Sequence, residues 1–187
     1  PYEVGRVIAR PFVGGPGNFV RTGDRQDYSR LPERKMAFSY LKEKGYEVIG
    51  VGKIGDIYAH IALTESYHTA NNREDMDFRI SELKRHRDKE GLLMANFVDF
   101  DSMYGHRRNA QGYAQCLEDF DAMLGELLPL LQDDELLMIT SDHGNDPTMS
   151  GTDHTREEVP LVAYSPSLTE SRDLGTRLTF ADLGQTI

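Results

Sequence analysis

The apolar positions of the chain fall into two patterns, short continuous runs and longer segments with helical spacing. The continuous runs are typical of buried strands, and they comprise residues 47–52, 92–98, 135–140 and 159–164. Helical spacing, in which apolar residues recur at steps of three and four, covers residues 33–44, 73–90 and 110–132. A short strand at 7–9 and a helix that begins near Thr179 complete the set. Helices that alternate with apolar strands predict an α/β fold with a mostly parallel sheet.

The segment from residue 14 to residue 32 has neither pattern. It is rich in Gly, Pro, Asp and Arg, which predicts a loop and makes it the best candidate for a domain boundary. The arginines in and around it are Arg6, Arg10, Arg21, Arg25 and Arg30. One interpretation is that they are scattered surface charges in contact with solvent. The other is that they bind an anionic ligand, because a guanidinium binds phosphate oxygens through two donors. Lys53 follows the strand predicted at 47–52, where parallel sheets place ligand contacts.

Composition and charge exclude several functional classes. A net charge of −10 and a pI of about 5.0 argue against a broad nucleic-acid surface. Cys116 is the single cysteine, so no internal disulfide is possible, which suits a reducing cytosol. Because no apolar run approaches the roughly 20 residues of a membrane span and no signal-peptide pattern is visible, we expect a cytoplasmic protein without a membrane or nucleic-acid partner. The chain lacks an initial Met and stops soon after a predicted helix start, so we expect it to be part of something longer.

Asp and His residues cluster in three turns, two of which follow predicted strands. Asp101 comes after the run 92–98, and Asp142 and His143 come after the run 135–140. The carboxyl ends of parallel strands meet at one edge of a sheet, so these side chains should converge. Gly105 allows a turn that brings Asp101 and a histidine five residues later to one point, and a Gly-rich loop returns another histidine. The candidate metal ligands are Asp101, His106, Asp142, His143 and His154.

The number and type of these ligands indicate a two-metal site. Carboxylate and imidazole donors suit Mn²⁺ and Zn²⁺ better than Ca²⁺, which prefers oxygen ligands. The set is too large for a one-metal catalytic site with an open position and too small for two complete shells, so at least one protein ligand is missing. Two metals can clamp a phosphoryl oxygen and activate the attacking group. Nothing favours Thr148, Thr152 or Thr155 as a nucleophile. We expect the remaining histidines to lie on the surface; they are His60, His68 and His86.

The same motifs resemble a known family. Asp101-x4-His106, the stretch 141–147 and the stretch 151–157 are similar to the metal motifs of phosphopentomutases, which belong to the alkaline phosphatase superfamily. Other family-like stretches are 4–12, 17–19, 52–54, 104–108 and 179–182, so the resemblance covers nearly the whole chain. It implies an alkaline-phosphatase-like three-layer α/β core with an inserted cap. Residues 1–30 would be the tail of the cap domain and the hinge, and residues 31–187 the C-terminal half of the metal-binding core.

The resemblance also implies an activity. The implied enzyme is an isomerase of nucleotide salvage, which interconverts ribose 1-phosphate and ribose 5-phosphate, and also the corresponding deoxyribose phosphates. Enzymes of this family use two Mn²⁺ ions, a phosphorylated threonine and a sugar bisphosphate activator. The resemblance assigns Asp101, His106 and His154 to one metal and Asp142 and His143 to the other. The residues that it places toward phosphate or substrate are Arg6, Arg21 and Lys53.

The chain departs from the family in two respects. The family's first metal-binding Asp and its nucleophilic Thr belong to an N-terminal half that this sequence does not include, so we expect the chain alone to be inactive and to need that half. Residues 59–62 replace a Gly-Glu-Gly segment of the family, which weakens any contact assigned to this loop. Two alternatives stay open: another enzyme of the superfamily, such as a metal-dependent phosphoglycerate mutase or a phosphatase, and a non-catalytic metal-binding fragment that needs a partner chain.

Overall fold

A computed structural model describes residues 4–22 and 26–187 of the 187-residue chain. The strands in this part are β1 (Arg6–Ala9), β2 (Phe12–Val13), β3 (Val20–Arg21), β4 (Gln26–Ser29), β5 (Glu47–Val51), β6 (Glu65–Tyr67), β7 (Gly91–Ala95), β8 (Leu137–Thr140) and β9 (Leu161–Tyr164). The α-helices are α1 (Ala37–Glu43), α2 (Ile54–Ile57), α3 (Asn72–Arg85), α4 (Ala110–Leu127) and α5 (Ala181–Thr186), with a π-helix at Phe100–Gly105 and a 3₁₀ turn at Leu128–Leu130. Within the described residues, no helix is both long and apolar enough to cross a membrane.

A parallel sheet of order β6-β5-β7 lies at the centre of the described chain. Its middle strand β5 runs parallel to both neighbours, and Val48 and Val51 on it are fully buried. Burial of a strand on both faces requires apolar residues throughout, which explains the continuous run in the sequence. The predicted α/β class with a parallel sheet is confirmed.

The helices pack into two apolar clusters. Phe38 of α1 and Ile54 of α2 pack with Val48 of β5 in one cluster. In the other, Met76 of α3 and Leu127 of α4 pack with residues that include Leu137 of β8 and Met123 of α4. The helical stripe predicted for residues 110–132 therefore supplies a core face, although the α-helix itself ends at Leu127.

The remaining strands form antiparallel pairs. β1 pairs with β4, β2 with β3, and β8 with β9. The prediction of a loop at residues 14–32 is therefore wrong for β3 and β4, whose backbone groups are satisfied by cross-strand bonds that polar composition does not reveal. Ser29 Oγ, on β4, donates to the backbone oxygen of Asp56, 3.0 Å away, and so joins the β1–β4 pair to α2. Arg25 lies outside the described residues, and the division at residue 30 stays a prediction.

The start of α3 is fixed to the chain segment that leads to the site. The Asn71 side chain caps the helix by accepting from the backbone N–H of Glu74 at 3.0 Å. The next residue, Asn72, exchanges two hydrogen bonds with Asp99, one from each backbone N–H to the other side chain, at 2.9 and 3.1 Å. Asp99 immediately precedes the π-helix, so this exchange joins the start of the π-helix to the start of α3.

Candidate metal centre

Asp101 and His106 lie at the two ends of the π-helix. The backbone N–H of His106 donates to the backbone oxygen of Asp101 at 3.0 Å, the i to i+5 bond that defines this helix type. The wider turn aligns residues five apart, and His106 Nε2 comes to 3.3 Å from Asp101 Oδ2. Gly105 is required here, because a Cβ at this position would stand 2.5 Å from Asn145 Nδ2. The sequence spacing predicted this approach, but not the π-helix that produces it.

The loop after the second motif brings His154 to the same point. Thr155 forms an antiparallel bridge with Gly144, and its hydroxyl accepts from the backbone N–H of Asp146 at 2.6 Å. This pairing folds the loop back over the end of β8. As a result His154 Nε2 lies 3.4 Å from Asp101 Oδ1 and 3.2 Å from His106 Nε2.

The geometry of these three side chains fits a divalent metal ion. An ion with bonds of about 2.0–2.2 Å holds neighbouring ligand atoms roughly 3.3–3.6 Å apart in a tetrahedron. The two imidazole Nε2 atoms lie 3.2 Å apart, and each approaches a different oxygen of Asp101, His106 at 3.3 Å from Oδ2 and His154 at 3.4 Å from Oδ1. One donor atom from each of the three residues lies within 4.8 Å of the others. His106 Nδ1 lies 2.6 Å from the backbone oxygen of Thr152. A carbonyl can only accept, so this bond assigns the proton to Nδ1 and leaves the Nε2 lone pair facing the cluster.

Asp142 and His143 offer two further donors beside this cluster. His143 Nδ1 lies 3.1 Å from the backbone oxygen of Gly144, which by the same reasoning leaves its Nε2 free, 3.7 Å from Asp142 Oδ1. The His143 ring stacks on His154 with centroids 3.6 Å apart. In the described ranges, 4–22 and 26–187, the groups of three or more closely placed metal-binding side chains do not include this pair. The pair therefore offers an incomplete ligand set.

The other polar residues of the motifs hold the loops in place. Asp146 accepts from the hydroxyl of Thr148 at 2.7 Å and from its backbone N–H at 2.8 Å, and these bonds hold the pKa of its carboxyl below its usual range. The Thr155 hydroxyl donates to Glu157 at 2.5 Å. Two of the three threonines considered as nucleophiles are thus bonded to carboxylates and stabilise turns.

Residues predicted to face the substrate occupy different parts of the fold. Lys53 lies between β5 and α2, at the carboxyl edge of the parallel sheet. Arg6 is exposed at the start of β1. Arg21 pairs with Phe12 across β2 and β3, and its side chain lies outside the described residues. Their role in substrate binding stays a prediction.

A second cluster of titratable side chains on α3 was missed from the sequence. The prediction that His86 lies on the surface is wrong: its side chain is 12% exposed, and its Nε2 lies 3.0 Å from Glu82 Oε2. The i, i+4 spacing of this pair on a helix is the signal that could have revealed it. Arg85 Nη1 lies 3.4 Å from Glu82 and 3.6 Å from Glu65. Arg85 thus forms the ion pairs of this cluster, whereas Glu82 Oε2 and both ring nitrogens of His86 are buried without a hydrogen-bond partner among the described residues.

Comparisons with known proteins show the family of the chain. The family profile described as "Metalloenzyme superfamily" matches residues 3–187. A phosphopentomutase of Caldanaerobacter subterraneus subsp. tengcongensis is 52% identical over 186 residues, covering 100% of this chain and 47% of that protein. The chain thus spans about half the length of this curated relative. The structure of the PH0037 protein from Pyrococcus horikoshii has a TM-score of 0.57 at 17% identity, covers 78% of this chain and 44% of that one, and supports the fold alone.

Proposed function

The chain belongs to the Metalloenzyme superfamily, and on that premise we propose that it is the C-terminal part of a phosphopentomutase. The resemblance to phosphopentomutases predicted from the motifs is confirmed by the 52% identity over the whole chain. The proposed reaction moves a phosphoryl group between the C1 and C5 oxygens of ribose or deoxyribose. The observation that carries the proposal is the convergence of Asp101, His106 and His154 within hydrogen-bond distances of one another.

The residues of this chain have distinct parts in the proposed site. Asp101, His106 and His154 hold one divalent ion, Mn²⁺ in our proposal. Asp142 and His143 contribute to a second ion, whose remaining ligands come from the rest of the protein. Bound together, the two ions would neutralise charge on the transferring phosphoryl group and clamp its oxygens. Backbone carbonyls fix the Nδ1 protons of His106 and His143. The Nε2 lone pairs of both residues therefore stay available for a metal ion.

The remaining parts of the reaction fall to residues outside this chain. We assign the phosphorylated threonine and the missing metal-binding aspartate to the other half of the protein, since this chain covers 47% of its phosphopentomutase relative. A sugar bisphosphate would prime that threonine. Arg6, Arg21 and Lys53 would bind the phosphate or the sugar, because cationic donors on separate elements can hold an anionic substrate from several sides. The location would be cytoplasmic, in nucleotide salvage.

An activity assay that compares the chain alone with the full-length protein tests this function. The chain alone and the full-length protein that contains it are incubated with Mn²⁺, the sugar bisphosphate and either ribose 1-phosphate or 2-phosphoglycerate, and products are followed by ³¹P NMR. We expect pentose conversion by the full-length protein and none by the chain alone. Strong mutase activity of the chain alone would refute the assignment of the nucleophile. Turnover of phosphoglycerate but not of ribose 1-phosphate would overturn the substrate class.

A further inference from the structure

Arg108, two residues after His106, contacts every segment of the candidate metal centre. Its backbone has a φ of +52°, a left-handed conformation that costs energy in a residue other than glycine. Such a conformation persists where surrounding contacts maintain it. The guanidinium donates to oxygens of Gly105, Asn145, Asp146, Gly151 and Asp153.

We propose that Arg108 is a positioning residue that orients Asp101 through Asn145 and holds the three motif segments in their metal-binding arrangement. The proposal rests on the proposed function, because it concerns the metal ligands of that site. It assigns Arg108 no contact with the substrate: its donors point to protein oxygens, unlike those of an arginine that binds a phosphate.

The amide of Asn145, which is 8% exposed, connects Arg108 to Asp101. Arg108 Nη1 donates to Asn145 Oδ1 at 2.8 Å. A guanidinium can only donate, so this bond fixes which end of the amide is oxygen and turns Nδ2 toward Asp101. Nδ2 then donates to Asp101 Oδ1 at 2.6 Å. Metal-binding carboxylates are held by such hydrogen bonds, and removal of the partner typically weakens metal binding about 10- to 100-fold.

Backbone oxygens from all three motif segments surround the guanidinium of Arg108. Gly105 ends the π-helix, and its oxygen lies 3.3 Å from Nη1. The oxygen of Asp146 in the second motif lies 2.7 Å from Nη1, and that of Gly151 lies 2.6 Å from Nε. Nη2 reaches the oxygen of Asp153, next to a metal ligand. Only the planar fork of arginine presents donors in several fixed directions, so lysine cannot replace it.

Metal affinity measured on the full-length protein tests the proposal. Mn²⁺ binding is titrated by calorimetry for wild type, Arg108→Gln, Arg108→Lys and Arg107→Gln, in which the neighbouring exposed arginine serves as the control. We expect the Arg108 variants to bind Mn²⁺ about 10- to 100-fold more weakly, with an unchanged KM for the pentose phosphate at saturating Mn²⁺. The Arg107 variant should bind Mn²⁺ as the wild type does.

Two outcomes overturn the proposal. One is unchanged Mn²⁺ affinity in a folded Arg108→Gln protein; the other is a raised KM with normal Mn²⁺ affinity, which would place Arg108 on the substrate. If Arg108→Gln does not fold, the Asn145→Ala variant tests the proposal, because it removes the bond to Asp101 and leaves the backbone contacts of Arg108. Normal Mn²⁺ affinity of this variant would refute the orientation of Asp101 through Asn145. A loss of Mn²⁺ affinity in a protein that converts no pentose phosphate would instead sustain the positioning role while the proposed function fails.

Discussion

The imidazole rings of His143 and His154 lie face to face, with centroids 3.6 Å apart and planes inclined by 18°. The two residues belong to different motifs, and we assign them to different metal ions. The stack therefore connects the two proposed metal positions through a direct contact. A change at His143 should then affect both ions, one through a lost donor and the other through a lost packing surface.

Substitutions of His143 separate these two effects. His143→Phe keeps a ring against His154 but has no nitrogen donor, so the second ion should be lost while the affinity of the first is preserved. His143→Ala removes both, so the first ion should also bind a few-fold more weakly. Metal counts and calorimetry on the full-length protein measure both. Equal affinity for the first ion in the two variants would show that the stack contributes nothing.

A substitution of Gly105 tests the close packing of Gly105 against the side chain of Asn145. Gly105→Ala places a Cβ 2.5 Å from Asn145 Nδ2, and Asn145 cannot move without breaking its bonds to Arg108 and Asp101. We expect a loss of about 1–3 kcal/mol in the free energy of unfolding and weaker Mn²⁺ binding.

The matched control for that substitution is Gly125→Ala. Gly125 lies inside α4, with no atom within 4 Å of an added Cβ, so this change should stabilise the protein by about 0.5–1 kcal/mol. Urea unfolding compares the two variants. A tolerated alanine at position 105 would contradict the described packing of Asn145.

Cys116 is expected to be unreactive in the folded protein. Its residue is 7% exposed, and burial raises the pKa of its thiol from 9.0 to about 11. At pH values below both, the thiolate is then about 100-fold less abundant than in an unshifted thiol, and only the thiolate reacts. The rate with a thiol reagent should rise steadily between about pH 7 and pH 10 and increase sharply on unfolding. A plateau that begins near pH 9 would contradict the shift.

The core around α4 gives a stability test with a control on the same helix. Leu127 is 1% exposed, whereas Leu117 is 50% exposed. Leu127→Ala should cost about 2–5 kcal/mol of unfolding free energy, because it leaves a cavity. Leu117→Ala should change it by about 0.5 kcal/mol or less. Similar losses in the two variants would show that residue 117 is covered by another part of the protein.

The sequence predicted the elements whose own pattern determines them. The run at 47–52 became β5 because a strand covered on both faces is apolar throughout. β6, with three residues, was missed because it is too short to show a period. β3 and β4 were missed because their pairing partners, not their composition, make them strands.

The candidate site was predicted to a similar degree. The approach of Asp101, His106 and His154 was expected and is observed, but the reason given for it was wrong. In the described residues β7 belongs to the parallel sheet and β8 to a separate antiparallel pair, so no shared sheet edge brings the motifs together. The contacts of Arg108 and Asn145 could not be expected. Their partners are set by the return of the loop at 151–157, a three-dimensional event that no local spacing encodes.

In the proposed site, Asp101, His106 and His154 together bind one divalent ion. The most direct measurement is the number and affinity of Mn²⁺ ions bound by the full-length protein, followed by electron paramagnetic resonance. The control is His60→Ala, because the side chain of His60 is 64% exposed. This variant and the wild type should each bind two ions, and the affinity for each ion should be the same in both proteins. His154→Ala should lose one of them, or bind it more than about 10-fold more weakly. Two ions bound by His154→Ala with wild-type affinity would contradict the account.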